Sequence, residues 1–481
     1  MRGTARSIAT LVLLGLFVVT SHAQFGVDNS LAPKEVKDFA WRVTGRVVFP
    51  MPSLLADDVM PVLRGQASRV RAGQAELSML KLSDGTALWS TPVAGDVTAM
   101  NITDGAIVAA VGRSVVGLSP EDGSLLWQQP IKGRLDTGWD LAASWRQHQW
   151  FGDLHARWEG IGGAFSCSED TVFVSVSGTV YALDAQEGAV LWSQKVGFRL
   201  SSPLCQVAGV VLAATSKELH ALAPESGDAV WSLPIADATR LIVVHKSLYC
   251  ANRQGTCRVD PATGETLWSA AVPADKAQSV HHTGRCVVAR RPNDITALDP
   301  ESGDVAWRTE THPKASLIDN SHAFFVDKAD NCVHCLDLDT LQDVWDAAPD
   351  PTPQRLVLCG TVAVAMHPLA LAAYDAKSGE ELWSLRAPPG ELFDCSVWAR
   401  TSKRLYVKTP RRLVGLDART GECAIGVNGR FMQVAWMMAH RNMLYLHDGS
   451  PSRGGVIAAL QVEEAKAPGK PAAEAEAPDQ A

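Results

Sequence analysis

The 481-residue chain has very little with which to cross a membrane or grip a nucleic acid. Its one long apolar run sits at the start, in "MRGTARSIATLVLLGLFVVTSHAQ". No later segment reaches the ~20 apolar residues that a membrane-spanning helix needs. No block of Lys or Arg occurs, and the formal net charge is −8, so nothing supports nucleic-acid binding. No two of the ten cysteines are adjacent, and none precedes Cys167. The motifs GxSxG and HExxH, a phosphate loop and a paired-carboxylate constellation are all missing. Helical spacing of apolar residues is missing too.

What is present at the start reads as a leader. Arg2 and Arg6 precede the apolar run Ile8 to Val19, and Ser21 and Ala23 supply small residues for cleavage after Ala23. Residues 1–23 are therefore expected to be a signal peptide. Losing two arginines and no acid takes the charge from −8 to −10. The product is expected to be exported, periplasmic or extracellular. It is not expected to be a lipoprotein, because no cysteine lies near the cleavage point. Residues 24–40 form a lead-in, and 461–481 an Ala/Pro/Glu-rich tail without the apolar mass to fold.

Ten cysteines permit disulfides, although a chain this long does not need them as a framework. "YCANRQGTCRV" reads as a hairpin that sets Cys250 opposite Cys257, the one specific candidate pair. Cys332 and Cys335, in "CVHC", would lie about 10 Å apart along a strand, too far for a mutual disulfide. His281 and His282 read as loop surface.

One turn recurs through the chain. Gly85, Gly123, Gly188, Gly227, Gly264, Gly303 and Gly379 are each followed four residues later by tryptophan, namely Trp89, Trp127, Trp192, Trp231, Trp268, Trp307 and Trp383. An eighth copy keeps Trp345 but has Leu341 for glycine, and a ninth keeps Gly421 but has Ile425 for tryptophan. From Trp192 the intervals are 39, 37, 39, 38 and 38 residues, the mark of an array of like units. Each unit alternates apolar residues in short runs separated by polar and glycine breaks, as in "TVFVSVSGTVYALDAQEGAVLW", which predicts about four antiparallel strands. In "LDPESG", Asp299 can accept from backbone N–H groups, Pro300 presets the turn, and Gly303 supplies the left-handed residue. The tryptophan that follows is expected to fill the seam between neighbouring sheets.

Four-stranded units at this period make a β-propeller. The "LDxxxGxxxW" turns resemble those of the PQQ-like, quinoprotein-type propeller repeats, a family that includes quinone-dependent alcohol dehydrogenases and the BamB-type scaffold of outer-membrane barrel assembly. The fold expected is all-β, a single propeller over residues 41–460 with about ten repeats. An eight-bladed ring with peripheral strands is the alternative, since eight is the family's usual number. The segment "FAWRVTGRVV" around Trp41 can supply the strand missing from the last unit and close the ring.

The resemblance implies a quinone site only where its residues recur. Family dehydrogenases carry an adjacent cysteine pair and a calcium set; the former is absent here, and spacing identifies no calcium set. No catalytic or metal residue is assigned and no cofactor is expected. One region breaks the pattern: Trp127 to Trp192 spans 65 residues, about 27 more than the standard interval. The excess, at about 133–163, holds Trp139, Trp145, His148, Trp150, His155 and Trp158, and is either a recognition element or a cap on the propeller face. The function expected is an exported, non-catalytic scaffold binding protein partners or a ligand. The alternative is a PQQ- and calcium-dependent oxidoreductase, or a quinone binder, using the central channel. Enzymatic status, oligomeric state and partner identity stay open.

Overall fold

Alternation of apolar and polar residues in runs of four to seven leaves one arrangement open to this chain, strands that share their buried faces. The structure, a computed structural model, describes residues 31–462 with breaks, of which 51–57, 65–74, 137–164, 273–278 and 449–454 are the longest. The leader before residue 31 and the tail after 462 lie outside the described residues. No α-helix occurs among the described residues; the protein is an all-β propeller of four-stranded antiparallel blades.

The blade Phe165–Cys167, Thr171–Val176, Thr179–Asp184 and Val190–Lys195 is representative, each strand pairing with the next. Six sheets hold one such set each, and two seven-stranded sheets hold two sets sharing a long strand, which makes ten sets among the described residues. In one long strand, Val305–Ile318, the first half pairs with Asp294–Leu298 and the second with His322–Asp327, across a bulge between Thr311 and Ser316. In the other, Trp41–Pro50, the first half pairs with Gly455–Gln461, Trp41 facing Ala459, and the second half pairs with Val59–Arg64. N- and C-terminal segments thus share a sheet, removing two free edges. A short strand, Glu35–Val36, adds in parallel to the outer edge of Cys423–Asn428.

The repeated turn is built as the sequence grammar requires. Asp299 Oδ1 accepts from the N–H groups of Glu301 and Ser302, both at 2.8 Å, and Asp184, Asp260, Asp337, Asp375 and Asp417 do the same in their turns. Gly303 is left-handed, at φ 77°. Immediately after the turn the outer strand bulges. Ala182 faces Trp192 and Leu183 faces Val190, leaving Leu191 as the extra residue. The same shift recurs before Trp89, Trp127, Trp231, Trp268, Trp307, Trp345 and Trp383. It puts Leu88, Leu126, Leu191, Val230, Leu267 and Val344 in solvent on the rim. A bulge on an edge strand also discourages pairing with other chains.

The tryptophans pack between blades. Trp89, Trp127, Trp192, Trp268 and Trp345 are buried, while Trp231, Trp307 and Trp383 are half-buried. Each of these indoles except that of Trp307 lies on the turn glycine of the next blade and donates its Nε1–H to a carbonyl of that turn. Trp89 donates to Pro120 at 2.9 Å, Trp192 to Pro224 at 2.7 Å and Trp383 to Ala418 at 2.8 Å. His281 and His282, expected on a loop, instead belong to the strand Ser279–His282, the first strand of a blade, where they face Val288 and Val287.

Candidate functional site: the stem of the insertion

The connections of a blade divide between the two faces, because antiparallel strands alternate direction. The glycine turns, which join third to fourth strands, share one face with the connections of first to second strands. The insertion joins the fourth strand of one blade to the first of the next, so it leaves from the opposite face, together with the hairpin turns between second and third strands. The six residues singled out in it, Trp139, Trp145, His148, Trp150, His155 and Trp158, lie outside the described residues. Its two ends do not.

Both ends lie on one strand. Leu135 bridges Val176, and Phe165 pairs with Val174 of the same strand, Thr171–Val176. Asp136 N–H donates to Ser175 O at 3.1 Å, so Asp136 stands opposite the residue between those two. The chain therefore leaves the innermost strand after Asp136 and re-enters it at Phe165 without losing register. The 28 residues 137–164 are a detour from a strand that is otherwise continuous. That number accounts for the excess in the repeat interval.

The exit point is pinned. Asp136 is buried, and its Oδ2 accepts from Ser175 Oγ and from the Gly178 amide, both at 2.5 Å. Arg199 Nε donates to the Asp136 carbonyl at 3.1 Å, and Lys195 Nζ donates to Ser177 O at 2.5 Å. A carboxylate that accepts from a backbone amide and a hydroxyl holds a hairpin tip more firmly than a neutral group would. Close approach explains Gly133 as well: a Cβ there would sit 2.8 Å from Ser177 Oγ and from Val176 Cγ1. Beside this stem Phe198 is 92% exposed. Sequence reasoning missed Phe198, for "KVGFRLSS" reads as an ordinary connection, and only its neighbours in space mark it.

The detour does not disturb blade packing. Trp127, just before it, still reaches the turn just after it, donating to Ala185 O at 3.0 Å. The core beneath joins Val108 and Val115 of one blade with Val172 and Val174 of the next.

The sequence profile described as outer membrane protein assembly factor BamB matches residues 38–138, 137–283 and 252–388. The chain belongs to this BamB-like, PQQ-type propeller family. Among solved structures the chain is similar to BamB from Moraxella catarrhalis, with 14% identity over 75% of this chain and 92% of that one, at a TM-score of 0.34. It is similar also to a computationally designed protein, Ika8, at 13% identity over 78% of this chain and 99% of that one, with a TM-score of 0.38. A third is KlHsv2 with loop 6CD replaced by a Gly-Ser linker, at 10% identity over 50% of this chain and 85% of that one, TM-score 0.35. No curated protein matches the sequence. A member of the BamB-like family is expected to offer a propeller surface to other proteins. Among the described residues no helix is long and apolar enough to cross a membrane, and no group of three His, Cys, Asp or Glu is placed to hold a metal ion.

Proposed function

We propose that this BamB-like chain is an exported, non-catalytic scaffold that holds a protein partner on the propeller face carrying the insertion. The observation that carries the reading is the in-register detour after Asp136. The inner strand and the blade packing on either side are complete without residues 137–164, so the aromatic side chains there are not needed to build a blade. Recognition concentrates in such aromatic-rich segments on rigid scaffolds. Phe198, exposed beside the stem, adds an apolar residue to the face from which the insertion leaves.

Export is supported by the leader-like residues 1–23 and by the family's description as an outer membrane assembly factor. The missing adjacent cysteine pair does not fit a quinone centre of the dehydrogenase kind, so no cofactor is part of the proposal.

The register supplies its own experiment. Deleting residues 137–164 joins Asp136 directly to Phe165 with no linker and leaves the Asp136 contacts in place. The variant is expected to keep its melting temperature and to lose its partner in a pull-down from the cell envelope. A large fall in melting temperature would make the segment an internal cap, and unchanged capture would defeat the proposal.

A further inference from the structure

Cys250 and Cys257 face each other across a hairpin. Strands Ser247–Ala251 and Thr256–Val259 are antiparallel, and the register sets Cys250 directly opposite Cys257, as Tyr249 is opposite Arg258. Residues so placed have alpha carbons about 4.5–5.5 Å apart. A disulfide bridges about 4.4–6.8 Å, so no backbone movement is required. Both thiols are free in this structure. Cys257 Sγ donates to the Cys250 carbonyl at 3.6 Å, and the two thiols hydrogen-bond to each other.

Their surroundings differ in a way that assigns roles. Cys257 is partly exposed, and its hydrogen bond from Cys250 holds its pKa below the ordinary thiol value despite partial burial. Cys250 is buried beside Leu212 and Leu248, and the same hydrogen bond together with burial pushes its thiol well up. Cys205, in the same apolar cluster, is pushed up by burial to about 11. The thiolate is the nucleophile in disulfide exchange, so Cys257 attacks first.

We propose that Cys250 and Cys257 are a redox-active dithiol, converted to a cross-strand disulfide by exchange with a low-molecular-weight disulfide. The Cys257 thiolate attacks one sulfur of the disulfide RSSR, forming Cys257–S–SR and releasing RS⁻. Cys250 then attacks the Cys257 sulfur, its proton passing to the departing second thiolate. Two protein thiols are oxidised and one RSSR is reduced to two RSH. The bond closes the hairpin between the second and third strands of its blade, whose turn lies on the insertion-bearing face, so oxidation stiffens one blade of that face without crossing between blades. This inference does not depend on the scaffold reading.

The test uses the full mature protein, reduced, desalted and incubated with oxidised glutathione. Acid quenching, alkylation of remaining thiols and peptide mass spectrometry follow. Cys250 and Cys257 are expected to lose their alkylatable thiols together and to appear in one internally linked peptide. Cys332, partly exposed but with its thiol pushed up by desolvation and then by Asp330, serves as the slow comparator. In Cys250→Ser, Cys257 is expected to be trapped as the glutathione mixed disulfide; in Cys257→Ser, Cys250 is expected to stay fully alkylatable after unfolding. Persistence of both free thiols in the oxidised wild-type protein, or linkage of Cys250 to Cys205 instead, would overturn the proposal.

Discussion

The indole of Trp127 lies across Gly188, in the turn of the next blade, so closely that a Cβ on that glycine would stand 2.4 Å from the ring. The glycine therefore serves two ends. It takes the left-handed conformation that the turn needs, at φ 69°, and it leaves room for a ring arriving from the preceding blade. Six further pairs repeat the arrangement, from Trp89 on Gly123 to Trp383 on Gly421.

Removing either partner should loosen the joint between two blades. Trp127→Ala is expected to destabilise by about 3–5 kcal/mol, as for other buried large-to-small changes. Trp127→Phe keeps most of the packing but loses the bond to Ala185 O, at about 1 kcal/mol more than the lost ring area alone. Gly188→Ala combines a left-handed alanine with an overpacked seam, about 1–2 and about 1–3 kcal/mol respectively. Urea unfolding checks all three, and a neutral Gly188→Ala would refute the seating of the ring.

One joint is imperfect, and it should be improvable. Leu341 replaces the glycine and is held at φ 55°, where a branched side chain is strained. Trp307 of the preceding blade is half-buried and makes none of the indole-to-turn hydrogen bonds that the other seven make. Leu341→Gly is expected to stabilise the protein by about 1 kcal/mol through relief of that backbone strain. It should also make Trp307→Phe more costly than in the wild type, a coupling that a double-mutant cycle measures.

Acid should act on Asp394. Burial raises its pKa, but the Lys408 ion pair at 2.8 Å and the Ser396 hydrogen bonds outweigh that and hold it below the ordinary 3.8. A carboxyl whose folded pKa is depressed stabilises the fold fully above its unfolded value, and that contribution is lost as pH falls through the folded value. Asp394→Asn should therefore flatten the loss of stability below about pH 4. At neutral pH it should cost about 3–5 kcal/mol, because it leaves the buried Lys408 ammonium unpaired. Lys408→Met leaves the more exposed partner behind and should cost less. Denaturation midpoints across pH 2–7 decide both points.

No quinone-dependent turnover is expected. Mature protein would be incubated with calcium and pyrroloquinoline quinone, then assayed with a dye acceptor against alcohols and sugars. Stoichiometric cofactor uptake with substrate-dependent dye reduction would restore the oxidoreductase reading.

The rim holds a feature that alternation does not foresee. In "GAVLW" the run before Trp192 is apolar, yet the adjacent Val190 and Leu191 are both exposed. Period-two reasoning assumes an unbroken ladder, and the bulge opposite Ala182 and Leu183 breaks it. That bulge follows from the left-handed glycine and the pairing geometry together, so the apolar pattern alone does not reveal it.

Local chemistry was enough for the turn and the strand grammar, because an aspartate, a glycine four residues on and alternating apolar residues act within their own few positions. The facing of Cys250 and Cys257 was legible for the same reason, a hairpin being set by adjacent residues. The tertiary structure alone decided what each tryptophan rests on, since its glycine belongs to the next blade. The segment around Trp41 was legible as the strand that closes the ring, but only the tertiary structure fixed the register in which Trp41 faces Ala459, across nearly the whole chain. The tertiary structure also decided that the chain resumes at Phe165 the strand it left at Asp136, because register is a relation between strands and a sequence interval records only the length of the detour.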